Sequence, residues 1–219
     1  MMTTLIPSVR IKLCDDNNIP AVFLSQFSEW SYTERINGRD SFEVTVPRSA
    51  PHADMLTPGR LIITQKTDDT SKQIVLIVKQ VSVDSDSVTA SGCDYLWELF
   101  AYRLVVAGLV TSDRLYDDAT DSQTGAAETV ARHYIEYNLT SATDTSRQDS
   151  NVTLETAHSP ALGGEVTIDA RLDTLAEVLE TCCIVGNIGI EGILVEDSTA
   201  QGWHIEIQIT EGTDRSQTE

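Results

Sequence analysis

The stretch Ser91-Gly-Cys-Asp-Tyr-Leu-Trp-Glu-Leu-Phe-Ala-Tyr-Arg-Leu104 marks the place where alternating, strand-like sequence gives way to a compact apolar helix. Just upstream, Val88 and Ala90 alternate with polar neighbours, the period of a half-buried strand. Gly92 supplies a bend without Cβ strain, and the Asp94 carboxylate stands where it can cap a short helix. Leu96, Leu99 and Phe100 then share one helical face, while Trp97 and Tyr102 add aromatic area. The spacing predicts a helix that plugs the end of the preceding sheet, each large side chain contributing roughly 1.5–3 kcal/mol on burial.

Everything before this stretch reads as antiparallel strands. Val9, Ile11 and Leu13 alternate with Arg10, Lys12 and Cys14, and Asp15-Asp-Asn-Asn18 supplies the turn of a hairpin. Ala21 to Tyr32 is long enough for one bent strand or two short ones, and Asn37-Gly38 is a tight-turn dipeptide. Phe42, Val44 and Val46 form the next inward face, followed by a loop from Arg48 to Pro58 with breakers at Pro47, Pro51 and Pro58. Leu61-Ile-Ile-Thr64 and Ile74-Val-Leu-Ile-Val78 flank the polar Thr67-Asp-Asp-Thr-Ser71 as a further hairpin. About six strands therefore precede residue 91, enough for a barrel-like or rolled sheet, because open edges are costly.

Downstream the pattern turns to α+β. Asp113, Asp117, Asp118 and Asp121 lack EF-hand register and read as a solvated loop. Thr124 to Leu139 reads as a helix with Ala127, Val130, Ala131, Tyr134 and Ile135 on one face and Glu128, Arg132 and Glu136 elsewhere. Thr140 to Asn151, nearly devoid of apolar residues, predicts a mobile excursion. Val152 with Leu154 and Val166 with Ile168 mark short strands, and Leu172, Leu175, Ala176, Leu179 and Cys183 a second amphipathic helix closed by Gly186. Ile188 to Val195 and Trp203 to Ile209 form a C-terminal hairpin around Asp197 to Gly202, with Trp203, Ile205, Ile207 and Ile209 on one face. The expected organisation is a β module over 1–104 ending in the short helix, and an α+β module over 105–219 packed on it.

Fifteen lysines and arginines face 34 acidic residues, a net charge of −19. That balance argues against nucleic acid, whose phosphates are neutralised by basic clusters, and fits a solvated exterior or attraction to basic partner surfaces. No apolar run reaches the roughly 18 residues of a membrane span, and Met1 to Pro7 lacks a signal peptide's features, so a soluble, cytoplasmically made chain without membrane partners is expected. Cys14, Cys93, Cys182 and Cys183 show no metal-ligand or redox spacing and read as buried or half-buried free thiols.

The motifs that carry common chemistries are missing: no G-x-S-x-G, P-loop, G-x-G-x-x-G or H-E-x-x-H occurs. His52, His133, His158 and His204 are scattered, and His133 with Glu136 reads as an ordinary surface pair. A glycosidase defined only by two carboxylates in space stays open, but Glu43, Glu191 and Glu206 fall at outward strand positions. No catalytic residue, metal or cofactor is expected.

Several segments, in order, carry a resemblance. Ser91, Gly92, Asp94, Leu96, Leu99 and Arg103 form the pattern Ser-Gly-x-Asp-x-Leu-x-x-Leu-x-x-x-Arg; Arg171 to Leu179, with Leu172 and Leu175, follows as a second helix. Gly212, Asp214 and Arg215 lie in a Gly-x-Asp-Arg-Ser element, and Ser41-Phe-Glu-Val-Thr-Val-Pro47 stands near the start. The set resembles the siphophage gene-product-37-like tail protein family, related to tail-tip hub proteins. The resemblance implies β-barrel-like modules with helical insertions and a structural role in a tail-tip hub or baseplate of a phage or prophage. It also implies a homo-oligomeric, trimeric ring contacting other tail proteins, located in the virion tail after assembly in the host cytoplasm. Family members are expected to continue beyond the last element, so a chain ending at Glu219 reads as a natural short form or a truncation. The competing readings are a receptor- or carbohydrate-binding tail module and, below it, a cell-wall glycan hydrolase.

Overall fold

Alternation of the kind seen at Phe42, Val44 and Val46 recurs from Val9 to Asp94 and builds one antiparallel sheet. The computed structural model describes residues 9–35, 37–66, 73–106, 120–142, 144–196 and 202–212. The chain divides into two compact units: Met1–Arg35, Arg39–Leu96 and Ile193–Trp203 make the first, and Ile36–Gly38, Trp97–Gly192 and His204–Glu219 the second.

In the first unit the strands are β1 (Val9–Cys14), β2 (Pro20–Phe23), β3 (Glu29–Thr33), β4 (Ser41–Pro47), β5 (Leu61–Lys66), β6 (Gln73–Val83) and β7 (Ser87–Asp94). They form a seven-stranded sheet in the order β2-β1-β5-β6-β7-β4-β3, curled into a half-barrel. The β1–β2 reversal is an Asx turn: Asp15 Oδ1 accepts from the N–H groups of Asn17 (2.8 Å) and Ile19 (2.9 Å). In the middle of the sheet Leu61, Ile62, Ile63 and Thr64 are buried in succession, as expected of a strand covered on both faces. Ile11, Leu13, Phe42, Val44, Val46, Leu76 and Val78 close the core. Arg60 fastens the 48–58 loop, its guanidinium donating to the carbonyls of Met55 and Cys14 (both 3.1 Å) and to Asp16 Oδ1 (2.8 Å). The predicted polar reversal at 67–71 lies outside the described residues.

Gly92 sits in this sheet for a reason other than a bend. The β6–β7 register shifts between Val78 and Gln80, a bulge that strengthens the local twist, and Gly92 pairs with Val78 beside it. A Cβ at position 92 would lie 1.9 Å from the Ile77 carbonyl oxygen and 2.8 Å from the Phe42 ring. Close backbone approach, rather than turn freedom, excludes a side chain.

Helix α1 (Tyr95–Tyr102) follows directly on β7. Leu96, Trp97, Glu98 and Phe100 are buried in it, with Trp97 and Phe100 edge to face at 5.5 Å; Leu99 is half-buried and Tyr102 is 73% exposed. Tyr102 therefore adds little buried area, contrary to the sequence expectation: it closes the last turn, on the side facing water.

In the second unit β8 (Asp121–Ala126) runs into α2 (Ala127–Ile135) and a single π turn, Glu136–Thr140. The helix expected from Thr124 thus starts at Ala127, because 121–126 is drawn into a ladder with Glu165–Ala170. Strands β9 (Val152–Leu154) and β10 (Glu165–Ala170), helix α3 (Leu175–Gly186) and strands β11 (Ile188–Glu196) and β12 (Trp203–Glu211) complete the chain, with the end of β11 from Ile193 and the first residue of β12 counted in the first unit. A three-stranded sheet has the order β11-β12-β9, with β9 parallel to β12. As expected, Trp203, Ile205, Ile207 and Ile209 are all buried.

Among its described residues the expected mobile excursion at 140–151 is instead tied down by its own polar groups. Asp144 caps a 3-10 turn at Thr145–Arg147, the Asp149 N–H donates to the Leu139 carbonyl (3.0 Å), and Gln148 Nε2 donates to the Ala142 carbonyl (2.9 Å). Short polar residues here make turns.

Two substitutions test this packing. Gly92→Ala is expected to destabilise the protein by at least ~2 kcal/mol, because the Ile77 carbonyl cannot move without breaking the ladder. Leu175→Ala, at a fully buried position of α3, is expected to cost about 2–5 kcal/mol. Chemical denaturation reads both, and midpoints equal to the parent's would refute the close approach and the buried face respectively.

Candidate functional site

Helix α3 begins with a capping box. Thr174 Oγ1 accepts from the Glu177 N–H (3.2 Å), and Glu177 Oε2 accepts from the Thr174 N–H (2.9 Å) and hydroxyl (2.8 Å). This box puts Leu172 outside the helix, with φ 63° and 57% of its surface exposed. The expectation that Leu172 shares the buried face with Leu175 and Leu179 is therefore corrected: those two are fully buried and Leu172 is not.

Of the residues singled out in the sequence, Arg103, Leu172, Leu175 and Gly212 lie at the two ends of α3. At its start, the segment after α1 pairs with the segment before α3: Leu175 N–H donates to the Arg103 carbonyl (2.7 Å), Val105 N–H to Asp173 (2.8 Å) and Leu172 N–H to Val105 (2.9 Å). At its end, Asn187 takes the left-handed conformation and caps the helix through its N–H to Cys183. Gly212 then docks on Asn187, donating its N–H to the Asn187 carbonyl (2.8 Å) and accepting from Asn187 Nδ2 (3.2 Å). Ser91, Gly92 and Asp94 lie in β7, where Ser91 pairs with Glu43 and Gln80, and Asp94 with Leu76. Asp214 and Arg215 lie outside the described residues.

Gly186 is the point where α3 meets α2. A Cβ there would stand 2.0 Å from the Ala127 Cβ, so only glycine permits this approach. Helix α2 has no side-chain cap; its first N–H groups are satisfied by loop carbonyls, Ala127 N–H to Gly164 (2.9 Å) and Glu128 N–H to Leu162 (3.1 Å). In return the Glu128 carboxylate, fully buried, accepts from the N–H of His158 (2.9 Å), the N–H of Leu162 (2.7 Å) and the His158 ring (3.1 Å). Arg132 Nη1 lies 4.0 Å from it, and Arg132 Nη2 donates to the Glu155 carbonyl (2.6 Å). Burial alone would raise the Glu128 carboxyl, but the two backbone donors and His158 outweigh it and hold its pKa below the usual range. Sequence reasoning placed Glu128 off the buried face. The signal was its spacing, since 128, 131 and 135 share a helical stripe.

Asp121, expected in a solvated loop, opens β8 and holds His133 Nε2 at 2.9 and 3.1 Å, while Tyr134 donates to the Asp121 carbonyl (2.7 Å). His133 stacks on Tyr137 at 4.4 Å, and Asp121 rather than Glu136 is its partner. The buried Asn138 accepts from the Val106 N–H (3.1 Å) and donates to the Tyr134 carbonyl (2.9 Å). All four cysteines are buried and outside any disulfide; burial pushes Cys14 up to about 11 and Cys182 and Cys183 up to about 12, which keeps these three as neutral thiols. Among the described residues no group of three His, Cys, Asp or Glu side chains is placed to hold a metal ion. Among the described residues Glu128, Asn138 and Arg132 each hold backbone, and Glu128 is poised as an anion rather than as a proton donor.

The model of the family described as Siphovirus ReqiPepy6 Gp37-like protein matches residues 16–219. Among solved structures the chain is similar to the prophage tail protein gp18 from Listeria monocytogenes EGD-e, at 13% identity and TM-score 0.54, over 90% of this chain and 50% of that one. It also matches a tail protein from Neisseria meningitidis MC58 (13% identity, TM-score 0.47, 91% and 50%). A third is the 43 kDa tail protein of prophage MuSo2 from Shewanella oneidensis (11% identity, TM-score 0.46, 91% and 54%). The chain thus spans about half the length of these proteins. No curated protein matches the sequence.

Glu128 sets a pH dependence. Its folded pKa is depressed, so the stability it contributes is fully present above the ordinary glutamate pKa of about 4.3 and is lost as pH falls through the folded value. Glu128→Gln is expected to cost about 1–3 kcal/mol at pH 7, because one loop N–H then faces an amide donor. Urea titrations between pH 7 and pH 3 should show the parent losing stability more steeply than the variant; parallel curves would refute the assignment.

Proposed function

Because the chain belongs to the Siphovirus ReqiPepy6 Gp37-like protein family, we propose that it is a structural component of a phage or prophage tail tip, assembling as a homotrimeric ring in contact with other tail proteins. The observation that carries this reading is the family match across residues 16–219. The fold shared with the Listeria prophage tail protein gp18 supports it. So does the use of the interior polar groups, which fasten loops and helix ends rather than converge on a reacting centre. Of the carboxylates considered for a glycosidase, Glu43 is exposed on β4, and Glu191 and Glu206 are half-buried on the C-terminal hairpin.

Among the described residues β2 and β3 each have a strand neighbour on one side only, leaving two sheet edges that another copy or another tail protein can extend. Like copies at −19 repel one another, and salt screens that repulsion with a Debye length of about 8 Å at physiological ionic strength. Ring formation in this reading therefore strengthens with salt and with the partner tail protein. In the same reading the chain joins the virion tail after assembly in the host cytoplasm.

Native mass spectrometry and light scattering across protein and salt concentrations, with and without the product of the adjoining tail gene, are expected to give trimers. Monomers in every condition would overturn the ring. Purified cell wall should release no soluble fragments on incubation with the folded protein; release would replace the structural reading with the hydrolase one, and tight wall binding without release would favour a receptor-binding module.

A further inference from the structure

A cleft of about 350 Å³ opens at the C-terminal end of α3, lined by Pro160, Leu162, Gly163, Gly186, Asn187 and Glu211 among others. Its floor is backbone. Gly163 has φ 83°, and a Cβ on it would come within 2.6 Å of Ile188 Cγ2 and 2.7 Å of the Gly186 carbonyl oxygen. The Gly164 N–H donates to that same carbonyl (2.8 Å).

Of the residues that line this cleft, the one with a charged side chain is acidic, Glu211. Helix C-termini carry partial negative charge and ordinarily gain from a nearby cation, yet the last turn of α3 has no basic residue. From Leu172 to Gly212 the chain holds eight aspartates and glutamates and no lysine or arginine. Glu211 brings an exposed carboxylate to the cleft wall. The final turn of α3 also presents Ile184 at 78% and Val185 at 62% exposure, two apolar side chains consecutive in sequence and left in water.

We propose that this end of α3 is a docking site for a basic, partly apolar segment of a different protein. A lysine or arginine head enters the cleft between Glu211 and the helix C-terminus, and a flanking apolar side chain covers Ile184 and Val185. A second copy of this chain is the poorer occupant, since it brings the same net charge of −19. The proposal takes from the assembly reading only the identity of the partner as another tail protein; its chemistry is testable with no tail protein present.

The probe is the peptide acetyl-Leu-Arg-Leu-Lys-amide, with acetyl-Leu-Glu-Leu-Glu-amide as control, titrated into the full isotope-labelled chain and followed by amide NMR shifts. The basic peptide is expected to move the amides of Gly163, Gly164, Gly186, Asn187 and Gly212, and the acidic one to move none. Glu211→Lys and the double variant Ile184→Ser/Val185→Ser should each weaken binding roughly tenfold, whereas Asp54→Lys, an equal charge change on an exposed residue of the 48–58 loop, should leave it within about twofold. Amide dispersion of each variant reports that it is folded. No shift at the cleft, or equal weakening by Asp54→Lys and Glu211→Lys, would overturn the site. Shifts at the same amides that grow with protein concentration alone would overturn the choice of partner. Failure here leaves the ring proposal standing, and a monomer by mass spectrometry leaves the cleft untouched.

Discussion

The Glu128 carboxylate, withdrawn from water, dictates the path of the chain between β9 and β10. A buried anion must be met by donors, and the donors here are backbone N–H groups of His158 and Leu162. The exchange is reciprocal, because the same loop gives its carbonyls to the uncapped start of α2. Once the loop is fixed, Gly164 reaches the last residue of α3, and the α2–α3 contact at Ala127 and Gly186 follows. One side chain in the first turn of a nine-residue helix thus sets a loop, a helix start and a helix-helix contact.

What the sequence made legible is the part governed by period. The alternation at Val9, Ile11 and Leu13, at Phe42, Val44 and Val46, and at Trp203 to Ile209 predicts strands that the structure contains with their apolar residues buried, Val9 at the strand's start only half so. The mainly antiparallel α+β fold followed from it, with α1 directly after the strand that ends at Asp94.

What period could not show lies where tertiary pairing overrides local pattern. Asp121-Ser-Gln-Thr-Gly-Ala126 has no large apolar side chain, and it becomes a strand because Val166 and Ile168 across the ladder supply the burial. Leu172 sits at helical spacing from Leu175 and Leu179, but the Thr174 and Glu177 pair starts the helix later; that capping signature was readable and outranks spacing at a helix end. The polar composition of 140–151 indicated mobility, yet Asp144 and Asp149 are hydrogen-bond acceptors that make their own turns. Of the singled-out residues, the backbone partners Arg103 with Leu175 and Gly212 with Asn187 emerge only in three dimensions, since each pair joins distant segments.

The lack of lysine and arginine from Leu172 to Gly212 has a practical side. A region without primary amines is invisible to amine-directed crosslinkers, and trypsin leaves α3 and the C-terminal hairpin in one peptide extending to Arg215. Its carboxylates, by contrast, are open to carbodiimide activation, which joins them directly to a neighbour's lysine with no added atoms. Covalent capture of whatever settles against this region depends on that zero-length chemistry, and a survey built on amine reagents would record an empty surface.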